Sequence, residues 1–128
     1  MMNTNIIFYS VIALIVGYLL YNQFFANLGV SQVDTDEFEI LLNDDQYYVV
    51  DVRETHEYNE GHIDGVPNVP LSTLNGNMDQ IPKNQTAVII CRSGNRSMQA
   101  IRKLEAEGYE NLINVKGGML AWNGDVVR

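Results

Sequence analysis

Residues 88–101 read Val-Ile-Ile-Cys-Arg-Ser-Gly-Asn-Arg-Ser-Met-Gln-Ala-Ile, and this stretch decides the fold. The apolar run 87–90 is short, β-branched and bounded by polar residues, which predicts a buried strand. Apolar residues then recur at helical spacing, and Gly108 predicts the end of that helix. Cys91, the one cysteine of the chain, is therefore expected at the carboxyl end of a strand and directly before a helix.

Three physical effects at that position favour the thiolate of Cys91 over the thiol. The first amides of a helix have no intrahelical partners, and the helix dipole adds partial positive charge there. Arg92 and Arg96 add full charges beside them. Gly94 permits a positive φ, which turns successive amides inward to form an anion-binding nest. A buried, inert thiol is the alternative, but the basic, glycine-bearing loop favours a reactive cysteine.

The loop 91–97 resembles the active-site loop of the rhodanese homology domain, in which the cysteine carries a persulfide. The resemblance extends over about residues 30–124, and several motifs in one order are more specific than a cysteine loop alone. The further motifs, in the family's order, are Asp51-Val52-Arg53, Glu57-Tyr58, Gly61-His62-Ile63-Asp64-Gly65, Asn68-Val69-Pro70, Val115-Lys116-Gly117-Gly118-Met119 and Ala121-Trp122.

Strands alternating with helices along residues 30–128 predict one α/β domain with a central, mostly parallel sheet flanked by helices, as the resemblance also implies. Asp34 or Thr35 is expected to cap the first helix of this domain. The remaining expected elements are a helix carrying Phe38, Leu41 and Leu42, a strand over 47–52, a short strand over 66–69, a brief helix over 70–74, a loop over 75–84, a strand over 112–115 and a helix after Gly117-Gly118.

The resemblance implies a sulfurtransferase with Cys91 as its nucleophile. The expected mechanism is a double displacement, in which a small anionic donor such as thiosulfate gives its outer sulfur to Cys91 and a thiol or protein acceptor removes it. Asp51 and Arg53 resemble family positions that support the loop. The residues implied to bind substrate are Arg92, Ser93, Gly94, Asn95, Arg96 and Ser97.

Two other classes of function stay open. Cysteine phosphatases of related fold need an arginine six positions after the cysteine, whereas Ser97 stands there and Arg96 comes one residue earlier. The shorter loop disfavours a phosphatase or arsenate reductase and favours sulfur chemistry. A non-catalytic, membrane-tethered sulfur carrier or docking module is the second alternative, and the sequence does not separate it from an enzyme because an intact loop serves both.

Residues 1–29 predict a transmembrane anchor and a short link. No Asp, Glu, Lys, Arg or His precedes Asp34, and the apolar run from residue 6 onward reaches the roughly 20 residues that span a bilayer. A buried core helix would show a polar face, and a cleaved signal peptide would show a basic start and a small-residue cleavage site. Because the first basic residue is Arg53, the sequence leaves the side of the membrane open.

Composition limits the partners of the domain. About 95 residues suit one compact domain, and a net charge of −8 makes nucleic acid an improbable partner. The basic residues concentrate in the cysteine loop and its helix, which favours a small anion there. No Cys/His cluster has metal-ligand spacing, so neither a metal nor another cofactor is expected. His62 is expected to be structural, His56 to lie at the surface and Trp122 to pack in the core.

Overall fold

The computed structural model describes residues 3–26 and 29–128. Helix α1 precedes a sheet of four strands that alternate with helices. The elements are α1 Thr4–Ala26, β1 Ser31–Val33, α2 Thr35–Leu42, β2 Tyr47–Asp51, α3 Thr55–Glu60, a 3₁₀ turn Leu71–Thr73, α4 Leu74–Asn77, a second 3₁₀ turn Met78–Gln80, β3 Thr86–Ile90, α5 Asn95–Ala106, β4 Leu112–Val115 and α6 Gly118–Ala121.

All strand pairs of the described sheet are parallel, in the order β1-β4-β3-β2. Val88 of β3 is in register with Val49 of β2 and with Ile113 of β4. Parallel strands of this kind bury both faces under helices. The predicted α/β class, with a central parallel sheet flanked by helices, is confirmed.

The side chains on the two faces of β3 belong to two separate apolar clusters. Ala87 and Ile89 belong to the first, and Val88 and Ile90 to the second, as the alternation of side chains along a strand requires. Helix α5 packs on the first cluster through buried apolar residues spaced three and four apart. The sheet therefore fixes the carboxyl end of β3, where Cys91 follows, from both sides.

The first domain helix begins as predicted. The carboxylate of Asp34 accepts the backbone N–H of Glu37 at 2.9 Å, which satisfies one of the unpaired amides of α2. Phe38 of this helix is fully buried and packs edge-on against Trp122, with ring centroids 5.6 Å apart. Trp122 thus packs against the core as expected, but it is only partly buried and lies just after α6.

Four short elements differ from the sequence predictions. The predicted strand 66–69 is wrong, because Pro67 has no N–H to donate and a single bridge between Asp51 and Asn68 replaces the strand pairing. Strand β1 and helix α3 were not predicted, since three residues and a run of charges carry little apolar periodicity. The expected loop 75–84 contains most of α4 and a 3₁₀ turn.

Helix α1 is long and apolar enough to cross a membrane. The candidate span runs over Thr4–Phe24, and none of it is buried against the rest of the described chain. Length and composition also fit a signal sequence, so they do not decide between the two. Residues 1, 2, 27 and 28, which include most of the predicted link, lie outside the described residues.

Candidate active site

Cys91 lies where β3 ends and the loop into α5 begins. Its side chain is fully buried, and its Sγ accepts the backbone N–H of Gly94 at 3.1 Å. Gly94 caps α5 with a φ of +102°, the conformation that the loop pattern predicts. The sulfur therefore sits beside the amino end of a twelve-residue helix and contacts its capping amide.

Ser97 and Asn114 complete the surroundings of the sulfur. The Ser97 Oγ lies 3.3 Å from the Cys91 Sγ, 2.9 Å from the carbonyl oxygen of Gly94 and 2.5 Å from the Asn114 Oδ1. Asn114 in turn donates its Nδ2 proton to the Oε1 of Gln32 at 3.2 Å. Asn114 and Gln32 were not predicted to belong to the site. A polar residue inside an apolar strand is the one sequence signal that could have identified Asn114.

Helix α6 binds backbone carbonyl groups of the cysteine loop through its first amides. Met119 donates its backbone N–H to the Cys91 carbonyl oxygen at 2.8 Å, and Leu120 donates to that of Arg92 at 2.9 Å. Gly118 has a φ of +54°, and a Cβ built there would lie 2.4 Å from the Cys91 oxygen. Gly118 is therefore required for this close approach of two backbones.

Arg96 is held by Glu57 from helix α3. Two hydrogen bonds of 2.5 and 2.8 Å join the guanidinium to the carboxylate. The hydrogen bond from Arg96 lowers the pKa of Glu57 to about 2, and the same contact raises the pKa of Arg96. Arg92, by contrast, is exposed and appears in no ion pair among the described residues. The two loop arginines thus differ in how freely they can meet an anion.

Asp51 and Arg53 form a buried ion pair beside the loop. The Arg53 Nη2 lies 2.8 Å from the Asp51 Oδ2, and its Nε donates to both carboxylate oxygens at 3.1 and 3.0 Å. The Arg53 guanidinium also donates to the carbonyl oxygen of Gly61 at 2.8 Å. The pair thereby ties the end of β2 to the end of α3, which carries Glu57.

Cavities flank the loop on two sides. The larger has a volume of about 520 Å³, and the smaller measures about 160 Å³. Arg92 faces the larger cavity, whereas Ser93 and Asn95 line the smaller one. The other residues lining the larger cavity are Arg53, His56, Glu57, Glu60, Gly61, Met119 and Leu120.

The two histidines occupy positions that give them no shared site. His62 stacks on Tyr58 with ring centroids 3.7 Å apart, and its Nδ1 lies 2.9 Å from the Tyr58 carbonyl oxygen. This arrangement fits the predicted structural role, and His56 is exposed as predicted. Within the described ranges, no group of three or more His, Cys, Asp or Glu side chains could hold a metal ion.

Comparison with known proteins decides the family. The rhodanese-like domain matches residues 34–125. The chain belongs to the rhodanese-like domain family. The solved rhodanese-like domain protein of Staphylococcus aureus has a TM-score of 0.68 and 36% identity, and the match covers 75% of this chain and 93% of that one. The family resemblance and the fold that it implies are therefore confirmed.

Curated relatives place this rhodanese-like domain among proteins of rhodanese-type sulfur transfer. It is 38% identical over 87 residues to the putative sulfurtransferase YtwF of Bacillus subtilis, covering 68% of this chain and 84% of that one. It is also 38% identical over 97 residues to the putative sulfur carrier protein YrkF of the same organism, covering 75% of this chain. The match spans 52%, about half, of YrkF.

The ion pair between Glu57 and Arg96 predicts a specific pH dependence of stability. A carboxyl group with a lowered folded-state pKa stabilises the fold fully above its ordinary pKa of 4.5 and loses that contribution as the pH falls toward about 2. The difference in free energy of unfolding between wild type and Glu57→Gln should therefore be constant above pH 4.5 and shrink below it. Urea unfolding of the full chain in detergent micelles measures this difference.

Glu60→Gln is the matched control for this experiment, because Glu60 is an exposed carboxylate on the same helix with no described ion pair. The Glu60→Gln substitution should change the free energy of unfolding only slightly at every pH. A Glu57→Gln difference that stayed unchanged from pH 4.5 down to about 2 would contradict the pairing with Arg96.

Proposed function

We propose that this rhodanese-like domain is a sulfurtransferase that carries its sulfur as a persulfide on Cys91. The observation that supports this most is the contact between the Cys91 Sγ and the Gly94 N–H at the amino end of α5. A main-chain donor and a helix dipole stabilise an anion at that atom, whether it is the thiolate or the outer sulfur of a persulfide. The relatives named for sulfur transfer agree with this chemistry.

The proposed reaction has two displacement steps. The Cys91 thiolate attacks the outer sulfur of a donor such as thiosulfate, a new S–S bond forms, and sulfite leaves with the electron pair of the bond that breaks. An acceptor thiolate then attacks the outer sulfur of the persulfide, and Cys91 leaves as the thiolate. Both steps move sulfur between nucleophiles without a net change in oxidation state, so no cofactor is needed.

Arg92 is the side chain that we assign to donor binding. It is exposed, lines the cavity of about 520 Å³ and follows Cys91 directly. Arg96 is assigned a positioning role instead, because Glu57 already neutralises its guanidinium. We place the acceptor in the same larger cavity. Ser93 and Asn95 lie on the opposite side of the loop, where they line the smaller cavity.

The ion pair of Arg96 also argues against a phosphatase or arsenate reductase. Such an enzyme needs its loop arginine aimed at the bound oxyanion. Here the arginine comes one position early and both of its terminal nitrogens contact Glu57. A sulfur carrier that loads once without turnover is the stronger alternative, because the relative YrkF is named as a putative sulfur carrier.

We further propose that α1 anchors the domain to a membrane. The span Thr4–Phe24 exposes large apolar side chains on every side and carries no charge. A helix that is apolar all round needs an apolar environment, and nothing in the described domain covers this one. The side of the membrane that the domain occupies follows from neither flank, since both lack Lys and Arg.

The persulfide on Cys91 is directly testable by mass spectrometry. Full chain purified in detergent and treated with thiosulfate should gain one sulfur atom, located on the peptide that contains Cys91. Cys91→Ser should gain none, because no other thiol is present in the chain. Glu39→Gln alters an exposed carboxylate of α2 that lines neither cavity beside the loop, so it is the matched control and should load like wild type. Unloaded wild-type protein would contradict thiosulfate as donor, and sulfur retained by Cys91→Ser would contradict the persulfide.

Turnover separates the enzyme from the carrier. With excess thiosulfate and a thiol acceptor, the enzyme releases many equivalents of sulfite per chain. A carrier releases one equivalent and retains the sulfur. A stoichiometry of one, with the acceptor present, would overturn the sulfurtransferase in favour of the carrier.

The membrane anchor predicts resistance to alkaline extraction. Replacing Ile12 and Ile15 together by arginine should add about 6–8 kcal/mol to the free energy of inserting α1 and release the chain from the membrane pellet. The matched control replaces the exposed Ile40 and Leu120 of the domain by arginine and should leave the chain in the pellet. Wild-type chain that is fully extracted by alkali would contradict the anchor.

A further inference from the structure

A row of four polar side chains leads from the reactive sulfur to the edge of the sheet. The Cys91 Sγ contacts the Ser97 Oγ at 3.3 Å, this oxygen contacts the Asn114 Oδ1 at 2.5 Å, and the Asn114 Nδ2 contacts the Gln32 Oε1 at 3.2 Å. The first three residues are buried, whereas Gln32 is exposed on the edge strand β1. The row thus connects a buried thiol to an exposed side chain at the edge of the sheet.

The direction of these hydrogen bonds suits the protonated thiol. The Ser97 hydroxyl donates to the Asn114 Oδ1, and the Asn114 amide donates to Gln32. Either atom of the Cys91–Ser97 contact can be the donor, and with the Ser97 proton used on Asn114 the S–H is the one left to donate. A serine hydroxyl has one proton to give. When Cys91 becomes a thiolate, it needs that proton as a donor, and the buried Asn114 Oδ1 then loses its partner.

The other acceptor of the Ser97 proton tolerates this loss. The Gly94 carbonyl oxygen lies 2.9 Å from the Ser97 Oγ, but it also accepts the backbone N–H of Met98 at 3.4 Å. It therefore keeps a donor in either state. Asn114 is the group whose hydrogen bonding has to change with the charge on the sulfur.

An amide can make that change by turning over. Rotation by half a turn exchanges its oxygen and nitrogen with little change in shape, so the reversed order of donors needs only a small lengthening of the Ser97–Asn114 contact. The Asn114 Nδ2 then donates to the Ser97 oxygen, and its Oδ1 accepts from the Gln32 amide. Every buried polar group along the row is satisfied in both states. A carboxylate at position 114 could not do this, since it has no proton to donate.

We propose that Asn114 is a positioning residue, which lets the row Cys91–Ser97–Asn114–Gln32 reverse its hydrogen bonds when the sulfur ionises. The inference deepens the proposed function and rests on it for its use, because the thiolate is the form that would attack the donor. Its physical content concerns ionisation alone. The result of a test on the ionisation of Cys91 therefore does not depend on whether the chain transfers sulfur.

Other charges around the loop act on the same sulfur and must be separated from the row. Arg92 adjoins Cys91, and the charge of Arg96 interacts with that of Cys91 while its guanidinium is paired with Glu57. Lys116 lines the smaller cavity on the side of β4. Since none of these residues is altered in the variants below, their effects are common to all measurements.

The test follows the ultraviolet absorbance of the thiolate against pH as the difference from Cys91→Ser, which removes the contribution of the seven tyrosines and reports the single cysteine. In the full chain in micelles, Asn114→Asp should raise the midpoint of this titration by about one pH unit or more, because the carboxylate fixes the Ser97 proton and adds a like charge. The same substitution in a Ser97→Ala background should raise the midpoint by less than about half as much, since only the charge effect then remains.

Asn111→Asp is the matched control, because it adds the same charge at an exposed position just before β4 and should leave the midpoint unchanged. If Asn114→Asp does not fold, Gln32→Glu on the exposed edge strand replaces it. This acceptor-only side chain holds the Asn114 Nδ2 toward the edge, so it should raise the midpoint with Ser97 present and less without it. Equal shifts in both backgrounds, or no shift, would overturn the proposal.

Discussion

The proposed function requires a sulfur anion on Cys91 that finds its hydrogen-bond donors in the protein itself, because the residue is withdrawn from water. The residue is fully buried, so solvent cannot stabilise its charge. The junction of β3 with α5 supplies the Gly94 amide and the dipole of a twelve-residue helix. Gly94 can take part because its positive φ turns that amide toward the sulfur.

The remaining contacts keep this junction in one conformation. Helix α6 binds the carbonyl oxygens of Cys91 and Arg92 from behind, and Gly118 allows the approach. Glu57 pairs with Arg96, and Arg53 of the buried Asp51–Arg53 pair donates to the carbonyl oxygens of Glu57 and Gly61 on either side of the carboxyl end of α3. The acidic side chains near the loop thus orient its surroundings, and Arg92 is left exposed beside the larger cavity.

The sequence predicted the parts of the structure that depend on local chemistry. The apolar run before Cys91, the glycine of its loop and the Asp34 cap each act within a few residues, so their patterns are visible in the chain. Helix α3 was missed because its residues are mostly polar and it is held by Arg53 and Arg96, which are contacts made in three dimensions.

Asn114 could not be assigned to the site for the same reason. Its partners Ser97 and Gln32 lie 17 and 82 positions away in the sequence, and only the order of strands in the sheet brings them together. The prediction of a strand over 66–69 was wrong for a different reason. Its apolar residues do pack in the core, but Pro67 prevents the strand pairing.

The most direct measurement of the central claim is the amide proton resonance of Gly94, recorded by NMR on the full chain in micelles while Cys91 is titrated. If the Gly94 N–H stabilises the sulfur anion, its resonance should move downfield with the same midpoint as the thiolate absorbance. Gly108, a second glycine of positive φ that follows α5, should not move with it. A Gly94 resonance that stayed still through the ionisation of Cys91 would contradict the account.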